Sequence, residues 1–198
     1  MVRVRPFLDA SADYEGNGMM RVITGIARGR RLETLNGEDV TRPTTESVKE
    51  ALFSMIQFEL EDKKVLDLFA GSGQLGIEAL SRGARVCTFV ENNRQALKVV
   101  QNNLSHCKLD DKANVVFSDA QTFLMRKNNF DIALLDPPYN KGLIEKTLPS
   151  LIPMMSDDGV IVCETSFNED LPEKINGWFA ERVRKHGKTK ITLYRKER

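Results

Sequence analysis

The sequence predicts an α/β protein with a mainly parallel sheet that is covered by helices on both faces. Two observations predict it. From residue 63 onward, five apolar runs of strand length alternate with helical patterns, and these runs are apolar throughout instead of at every second position. Strands buried on both faces have this composition, and a helix between two strands returns the chain in the same direction. The 198 residues suffice for one such domain, with at most a small extension.

The elements follow in a regular order. The predicted strands are VLDLFA, VCTFVE, NVVFSD, FDIALLD and GVIVCE, and the helices between them are QLGIEALSRG, RQALKVVQNNLSHC, AQTFLMRK and GLIEKTLPSLIPMM. Near the end, RVRKHG and KITLYRK predict an antiparallel hairpin. We therefore expect a Rossmann-like, seven-stranded, mainly parallel sheet with a C-terminal antiparallel strand.

Three segments are predicted along the chain. Residues 1–18 show no sustained periodicity, and we interpret them as a leader, a tag or a disordered extension. Residues 19–61 contain RVITG and RRLETL, which predict a short β-hairpin, and then an amphipathic helix for which Thr45 and Ser47 are candidate caps. Residues 62–198 form the predicted catalytic domain.

Charge and cysteine content restrict the possible classes. The 29 basic residues nearly balance the 28 acidic ones, but basic side chains cluster in residues 21–31 and 181–198, where they either contact phosphates or form ordinary solvated surface. The three cysteines show no CxxC spacing and only two histidines accompany them, so neither a zinc site nor a catalytic thiol is expected. No run approaches a membrane span and no signal peptide is visible, so we expect a cytoplasmic protein without a membrane partner.

Acidic residues stand at the ends of four successive predicted strands. They are Asp67, Glu91, Asp119 and Asp136. Any one of them could be a helix cap, but parallel strands end at one edge of the sheet, where such folds bind ligands. Four acids at this edge indicate a ligand site.

The turn after the first strand, AGSGQLG, fits G-x-G-x-x-G through Gly71, Gly73 and Gly76. The pattern occurs in sites for NAD, FAD and S-adenosylmethionine. Asp67 lies four residues before Gly71 and would repel a pyrophosphate at the helix N-terminus. S-adenosylmethionine has no phosphate and carries an ammonium and a sulfonium, so an acidic turn favours it.

The next two strand ends extend this prediction. Glu91, 18 residues beyond Gly73, is placed to accept both ribose hydroxyls, a role common to NAD and S-adenosylmethionine sites. Asp119 and Ala120 are placed to meet the adenine edge. The predicted cofactor-binding residues are Asp67, Phe69, Gly71, Ser72, Gly73, Glu91, Asn92, Asp119, Ala120 and Asp136.

The stretch LLDPPY ends the fourth strand in an acid, two prolines and an aromatic residue. The Asp136 carboxylate and the Pro137 carbonyl can together accept hydrogen bonds from an exocyclic NH2 group, and Pro137 and Pro138 fix the backbone. Tyr139 could stack on a base withdrawn from its helix. We predict Asp136, Pro137, Pro138 and Tyr139 as catalytic, with no metal; the alternative is a strand-to-loop turn with a solvent-facing aromatic.

DLFAGSGQLGIEALSRGA, FVENN, DPPY and RPTTESVKEALF together resemble the RsmD-type 16S ribosomal RNA guanine-N2 methyltransferases, from Met20 almost to the C-terminus. The resemblance implies a class I S-adenosylmethionine-dependent methyltransferase fold and methyl transfer to one guanine amine in small-subunit RNA, with base flipping. Family members act on RNA partly assembled with ribosomal proteins, which agrees with the near-zero net charge. We expect 16S RNA in assembly intermediates as partner, and a monomer.

The resemblance also suggests RNA-binding residues. Arg28, Arg30 and Arg31 would grip phosphates, while Arg42, Pro43 and Thr44 would lie over the cofactor cleft and contact RNA. The alternative for the second group is an ordinary helix N-terminus preceded by proline.

Other functions remain open from the residues. DNA adenine-N6 and cytosine-N4 methyltransferases use the same chemistry, but the loops here are too short for a domain that reads DNA sequence. Protein-glutamine methyltransferases have the pattern NPPY at the corresponding place, whereas this chain has aspartate there, at Asp136. A noncatalytic RNA-binding or assembly factor on the same fold would be expected to lose cofactor or acceptor residues, and these are present.

Overall fold

The structure is a computed structural model that describes residues 20–35 and 46–197. The segment 1–18, the candidate cap Thr45 and the predicted RNA-contacting residues Arg42, Pro43 and Thr44 lie outside the described residues.

Eight strands and five α-helices make up the described part of the chain. The strands are β1 Lys64–Asp67, β2 Val86–Glu91, β3 Ala113–Phe117, β4 Phe130–Leu135, β5 Met155–Ser166, β6 Lys174–Ile175, β7 Trp178–His186 and β8 Thr189–Lys196. The helices are α1 Glu46–Met55, α2 Gln74–Ser81, α3 Arg94–Cys107, α4 Ala120–Leu124 and α5 Leu143–Leu151, with 3₁₀ turns at Asp110–Lys112 and Ile152–Met154.

The strands form one sheet in the order β3-β2-β1-β4-β5-β8-β7-β6. Strands β1 to β5 are parallel, and β8 pairs antiparallel with both β5 and β7. The predicted Rossmann-like sheet with a C-terminal antiparallel strand is confirmed. The sheet has eight strands instead of seven because the two-residue β6 adds to the edge of β7.

Both faces of the sheet are buried, which explains why its strands are apolar throughout. Val65 and Leu66 are neighbours in β1, and they lie in different core clusters. The first cluster contains side chains of α1, α2 and α3, and the second contains side chains of α4 and α5. Successive side chains of a strand point to opposite faces, so each face needs its own helical layer.

The order of the strands reverses at β1, which has β2 on one side and β4 on the other. The chain builds outward to β3 and then returns to pair β4 with β1. Beyond the last paired residues, Leu68 N still donates to Leu134 O at 3.1 Å. A crevice opens at the carboxyl ends of strands at such a switch point.

The predicted N-terminal hairpin has little regular β structure. Residues 20–35 form a single isolated bridge between Arg21 and Arg31, with backbone hydrogen bonds such as Leu32 N to Met20 O at 2.8 Å. Met20 and Leu32 are buried in the same core cluster as α1 and α2.

Two further findings concern only residues 20–35 and 46–197. None of the helices there is both long enough and apolar enough to cross a membrane. That part of the chain also contains no group of three or more His, Cys, Asp or Glu residues that could hold a metal ion.

Candidate active site

A cleft of about 700 Å³ lies at the carboxyl ends of β1 to β4. It brings together predicted residues from all four strand ends, which are Phe69, Gly71, Glu91, Asn92, Asp119, Ala120, Asp136 and Pro138. The strand-end acids Glu91, Asp119 and Asp136 thus face one space, as the parallel sheet requires.

The three glycines of the G-x-G-x-x-G turn have two different structural roles. Gly71 and Gly73 have φ values of +55° and +80°, a left-handed conformation that side chains rarely adopt. Gly76 lies within α2, where an added Cβ would be 2.2 Å from Cε1 of Phe89 and 2.7 Å from Sγ of Cys87. Two glycines therefore shape the turn, and the third allows α2 to pack closely on β2.

Asp67 lies beneath this turn and not in the cleft. Its side chain is buried, and Oδ2 accepts a hydrogen bond from Gly76 N at 2.9 Å. Burial raises the pKa of the Asp67 carboxyl to about 7, and the charges of Asp136 and Glu91 act in the same direction. The hydrogen bond to Gly76 fixes the start of α2 relative to β1, so Asp67 acts on the cleft by positioning the turn.

Glu91 organises the rim of the cleft. Its Oε2 accepts from Gly71 N and its Oε1 accepts from Asn93 N, both at 2.8 Å. Asn93 caps α3 by accepting from Gln95 N at 2.8 Å and Ala96 N at 3.1 Å. A carboxylate has about four acceptor sites, so Glu91 can hold both loops and still accept two ribose hydroxyls.

Asp119 is a helix cap that also lies on the cleft. It caps α4, because Oδ1 accepts from Thr122 N at 2.9 Å. This backbone hydrogen bond holds the pKa of the Asp119 carboxyl below its usual value. Asp119 also lines the cleft beside Ala120.

The DPPY segment separates the cleft from a second cavity. Asp136 and Pro138 line the cleft, Pro137 is buried, and Tyr139 lines the second cavity of about 560 Å³. The Tyr139 hydroxyl donates to Oε1 of buried Glu164 at 2.6 Å and lies 3.3 Å from Oγ1 of Thr189. Burial, followed by the Glu164 charge, raises the pKa of Tyr139. The ring is thus anchored at its hydroxyl.

Asn103 is a positioning residue that sequence reasoning missed. It is 1% exposed, and its Nδ2 donates to Ser72 O at 2.9 Å and to Glu33 O at 3.0 Å. Its Oδ1 accepts from Glu33 N at 2.8 Å. Asn103 therefore joins the glycine turn to the N-terminal segment. The available signal was a polar residue on the apolar face of α3, next to Leu104.

Two predicted cofactor-binding residues of the glycine turn, Ser72 and Gly73, do not line the cleft. Three residues that were not predicted do line it, and they are Leu35, Lys141 and Lys146.

The predicted RNA-binding arginines are not equivalent. Arg28 and Arg31 are exposed, whereas the Arg30 guanidinium donates to His106 O near the end of α3. Arg30 is half-buried, and the contact of all three arginines with RNA stays a prediction.

Residues 20–195 match the family model described as conserved hypothetical protein 95. The chain belongs to this family. It is 41% identical over 184 residues to the "Putative rRNA methyltransferase YlbH" of Bacillus subtilis, covering 89% of this chain and 99% of that protein. It is 36% identical over 188 residues to the ribosomal RNA small subunit methyltransferase D of Escherichia coli K12, covering 93% and 94% of the two chains.

A solved structure agrees with these relatives. The "Putative methyltransferase yhhF from Escherichia coli" superposes with a TM-score of 0.80 at 37% identity, covering 91% of this chain and 99% of that one. The resemblance to the RsmD-type methyltransferases is confirmed, and so is the methyltransferase fold.

Proposed function

We propose that the protein transfers a methyl group from S-adenosylmethionine to the exocyclic N2 amine of a guanine in 16S ribosomal RNA. The observation that carries this proposal is the position of DPPY, with Asp136 and Pro138 on the cofactor cleft and Tyr139 on a second cavity. The two relatives named for ribosomal RNA methylation support the choice of RNA.

The cleft fits S-adenosylmethionine better than a dinucleotide. A pyrophosphate needs free amides at a helix N-terminus, but Gly76 N in the first turn of α2 is already bonded to Asp67. Glu91 would hold the ribose, and Asp119 with Ala120 would meet the adenine. When bound, the cofactor supplies an electrophilic methyl group on a cationic sulfonium.

The chain's own groups would orient and deprotonate the amine. The lone pair of a guanine amine is delocalised into the ring, so the amine is a poor nucleophile. Hydrogen bonds from its NH2 group to the Asp136 carboxylate and the Pro137 carbonyl would favour a tetrahedral nitrogen with its lone pair directed into the cleft. As the new N–C bond forms and the C–S bond breaks, the Asp136 carboxylate would accept the proton that the nitrogen loses.

The substrate would be RNA in partly assembled small subunits, with the target base withdrawn from its helix. Asp136 is half-buried, and enzymes that modify a base generally withdraw it from its stack, so the target guanine would leave its helix to reach this carboxylate. The net charge of +1 offers little general attraction to bare RNA. A monomer in the cytoplasm is the simplest state for such an enzyme.

The test is methyl transfer from labelled S-adenosylmethionine to naked 16S RNA, to small-subunit particles lacking the modification and to duplex DNA. We expect N2-methylguanine from the RNA-containing acceptors alone. Asp136→Ala should lower the rate at least about 100-fold, because it removes a prealigned acceptor of the amine hydrogens. Asp157→Ala, at an exposed position, is the control and should keep wild-type activity.

Two results would contradict the proposal. Methylated adenine in DNA would keep the chemistry but change the substrate class. If no acceptor is methylated although S-adenosylmethionine binds, a noncatalytic assembly factor becomes the better description.

A further inference from the structure

Among the residues that the structure describes, one that lines the cofactor cleft comes from outside the predicted catalytic domain. This residue is Leu35, and it is half-buried. The other described residues that line the cleft lie between Leu68 and Thr147. The sequence predicted only RNA contacts for the N-terminal segment, residues 20–35, so the position of Leu35 points to a second role for this segment.

Asn103 of α3 holds the backbone beside Leu35 as a neighbouring strand would. Its Oδ1 accepts from Glu33 N at 2.8 Å, and its Nδ2 donates to Glu33 O at 3.0 Å. A side-chain amide has the donor and the acceptor of a peptide group, so these two bonds resemble those between paired strands. The Asn103 side chain is buried, so water does not compete for the bonds. They fix the backbone two residues before Leu35.

The same amide group holds the glycine turn. Asn103 Nδ2 has two hydrogens, and it also donates to Ser72 O at 2.9 Å. At the other end of the N-terminal segment, Ser72 Oγ donates to Sδ of Met20 at 3.8 Å. The segment is therefore held to the turn near both of its ends, and Gly71 of this turn lines the cleft.

A leucine at this place suits the cofactor and not a phosphate backbone. Its side chain has no charge and no hydrogen-bonding group, so it contributes apolar contact area. S-adenosylmethionine presents apolar area on its adenine ring and on the carbons of its ribose and methionine. Arg28 and Arg31 of the same segment are exposed and do not line the cleft. The segment thus places its exposed cations away from the cleft and an apolar side chain in it.

We propose that Leu35 contacts bound S-adenosylmethionine and that Asn103 is the positioning residue that holds Leu35 and the glycine turn together. The N-terminal segment therefore completes the cofactor site. The inference rests on the proposed function, because it takes S-adenosylmethionine as the ligand of the cleft.

The test measures the Kd of S-adenosylhomocysteine by titration calorimetry, which requires no RNA and no methyl transfer. Leu35→Ala should raise the Kd roughly 5- to 20-fold, because it removes part of an apolar contact. Asn103→Ala should raise the Kd at least as much, since it releases both Leu35 and the glycine turn. Asn102→Ala is the matched control, because Asn102 is exposed and its Nδ2 donates to the Glu33 carboxylate at 3.1 Å instead of to the backbone. It should keep the wild-type Kd.

The double variant separates positioning from a general structural role. If Asn103 acts by placing Leu35, Leu35→Ala should raise the Kd by a smaller factor in the Asn103→Ala background than in the wild type. Equal factors in the two backgrounds would overturn the role assigned to Asn103. Denaturant unfolding checks that each variant is folded. Leu35→Ala leaves the bonds of Asn103 in place, so it tests the contact even if Asn103→Ala does not fold.

Steady-state kinetics distinguish the cofactor from RNA as the partner of Leu35. In methyl transfer to small-subunit particles, Leu35→Ala should raise the KM for S-adenosylmethionine and leave the KM for the particles near the wild-type value. A raised KM for the particles with an unchanged Kd for S-adenosylhomocysteine would show that Leu35 serves RNA binding, and it would overturn the inference.

The outcomes keep the two proposals apart. If the wild type methylates RNA but Leu35→Ala binds S-adenosylhomocysteine as the wild type does, the inference fails and the proposed function stands. If the wild type binds S-adenosylhomocysteine but methylates no RNA, the proposed function fails, and the Kd of Leu35→Ala still decides the inference. If the wild type does not bind S-adenosylhomocysteine, both fail.

Discussion

Asp67 places an ionisable carboxyl in a site that is 1% exposed to water. Its hydrogen bond from Gly76 N offsets part of the penalty for burial, but the pKa remains raised to about 7 against a usual value of 3.8. Such a site makes the stability of the fold depend on pH.

We predict that Asp67→Asn flattens this pH dependence. Between about pH 4 and pH 7 the unfolded chain has lost the proton of Asp67 while the folded chain retains it, so the free energy of unfolding falls as pH rises. The fall would be roughly 1 kcal/mol per pH unit from this residue alone. Urea unfolding at pH 5 and pH 7 should show a smaller decrease in the variant, which keeps an acceptor for Gly76 N. An equal decrease in both proteins would refute the prediction.

For individual residues, the sequence predicted where a side chain lies better than it predicted what the side chain contacts. Glu91 and Asp136 were placed correctly on the cleft because the end of a strand fixes where its last side chain lies. The burial of Asp67 and the triple contact of Asn103 depend on how α2, α3 and residues 20–35 pack, which local patterns do not encode. The hydroxyl bond of Tyr139 likewise depends on the register of β5 with β8, which brings Glu164 and Thr189 together.

Among the elements, the N-terminal segment is held to α2 through backbone groups. The Glu78 carboxylate accepts from Ile23 N at 2.8 Å and from Thr24 N at 3.0 Å, and it pairs with Arg82 at 2.7 Å. Lys49 of α1 lies 3.6 Å from the same carboxylate, and burial lowers its pKa. Removing Glu78 would leave a buried cation, so these elements depend on one another.

The tip of the same segment approaches α2 so closely that only glycine fits. An added Cβ at Gly25 would lie 1.7 Å from Ser81 O, whereas one at Gly29 would meet nothing within 4 Å. Both glycines have positive φ, +88° and +80°. A substitution would therefore strain the backbone at both positions, but only at Gly25 would the new side chain also collide with Ser81.

We predict that Gly25→Ala destabilises the protein more than Gly29→Ala. Each variant should lose about 1–2 kcal/mol through its left-handed backbone. Gly25→Ala should lose roughly 1–3 kcal/mol more, because it displaces the bonds from Ile26 N to Ser81 O and from Ala27 N to Ser81 Oγ. Denaturant unfolding of the matched pair measures the difference, and equal losses would show that the contact with α2 adds nothing.

The same contact explains why the predicted hairpin is irregular. The apolar pattern of RVITG and RRLETL predicted two paired strands, and Met20 and Leu32 are buried as that pattern requires. The backbone pairs through Val22 and Arg30, but the residues nearer the tip donate to Glu78 and Ser81 of α2, so only one bridge forms, between Arg21 and Arg31. In contrast, β2 and α3 have the predicted boundaries because their own composition and caps determine them.

At the scale of the whole molecule, the core joins regions that the sequence treats as separate. Met20, Leu52 and Leu193 are buried in one cluster, although the predicted boundary between subregions falls at residues 61 and 62.

The near-zero net charge of the whole chain conceals local clusters of basic side chains, in residues 21–31 and 181–198. Binding to a polyanion therefore depends on where the cations lie and not on their total number.

We predict that Arg28→Ala combined with Arg31→Ala weakens binding to 16S RNA and flattens its salt dependence. Both side chains are exposed, and neither is required for the His106 contact made by Arg30. Losing two phosphate contacts should lower the slope of log affinity against log salt by about 1.4 to 1.8. Arg85→Ala is the control, since this arginine is also exposed but pairs with Asp62 at 3.8 Å. If the double variant keeps the wild-type slope while binding S-adenosylmethionine normally, Arg28 and Arg31 do not contact RNA phosphates.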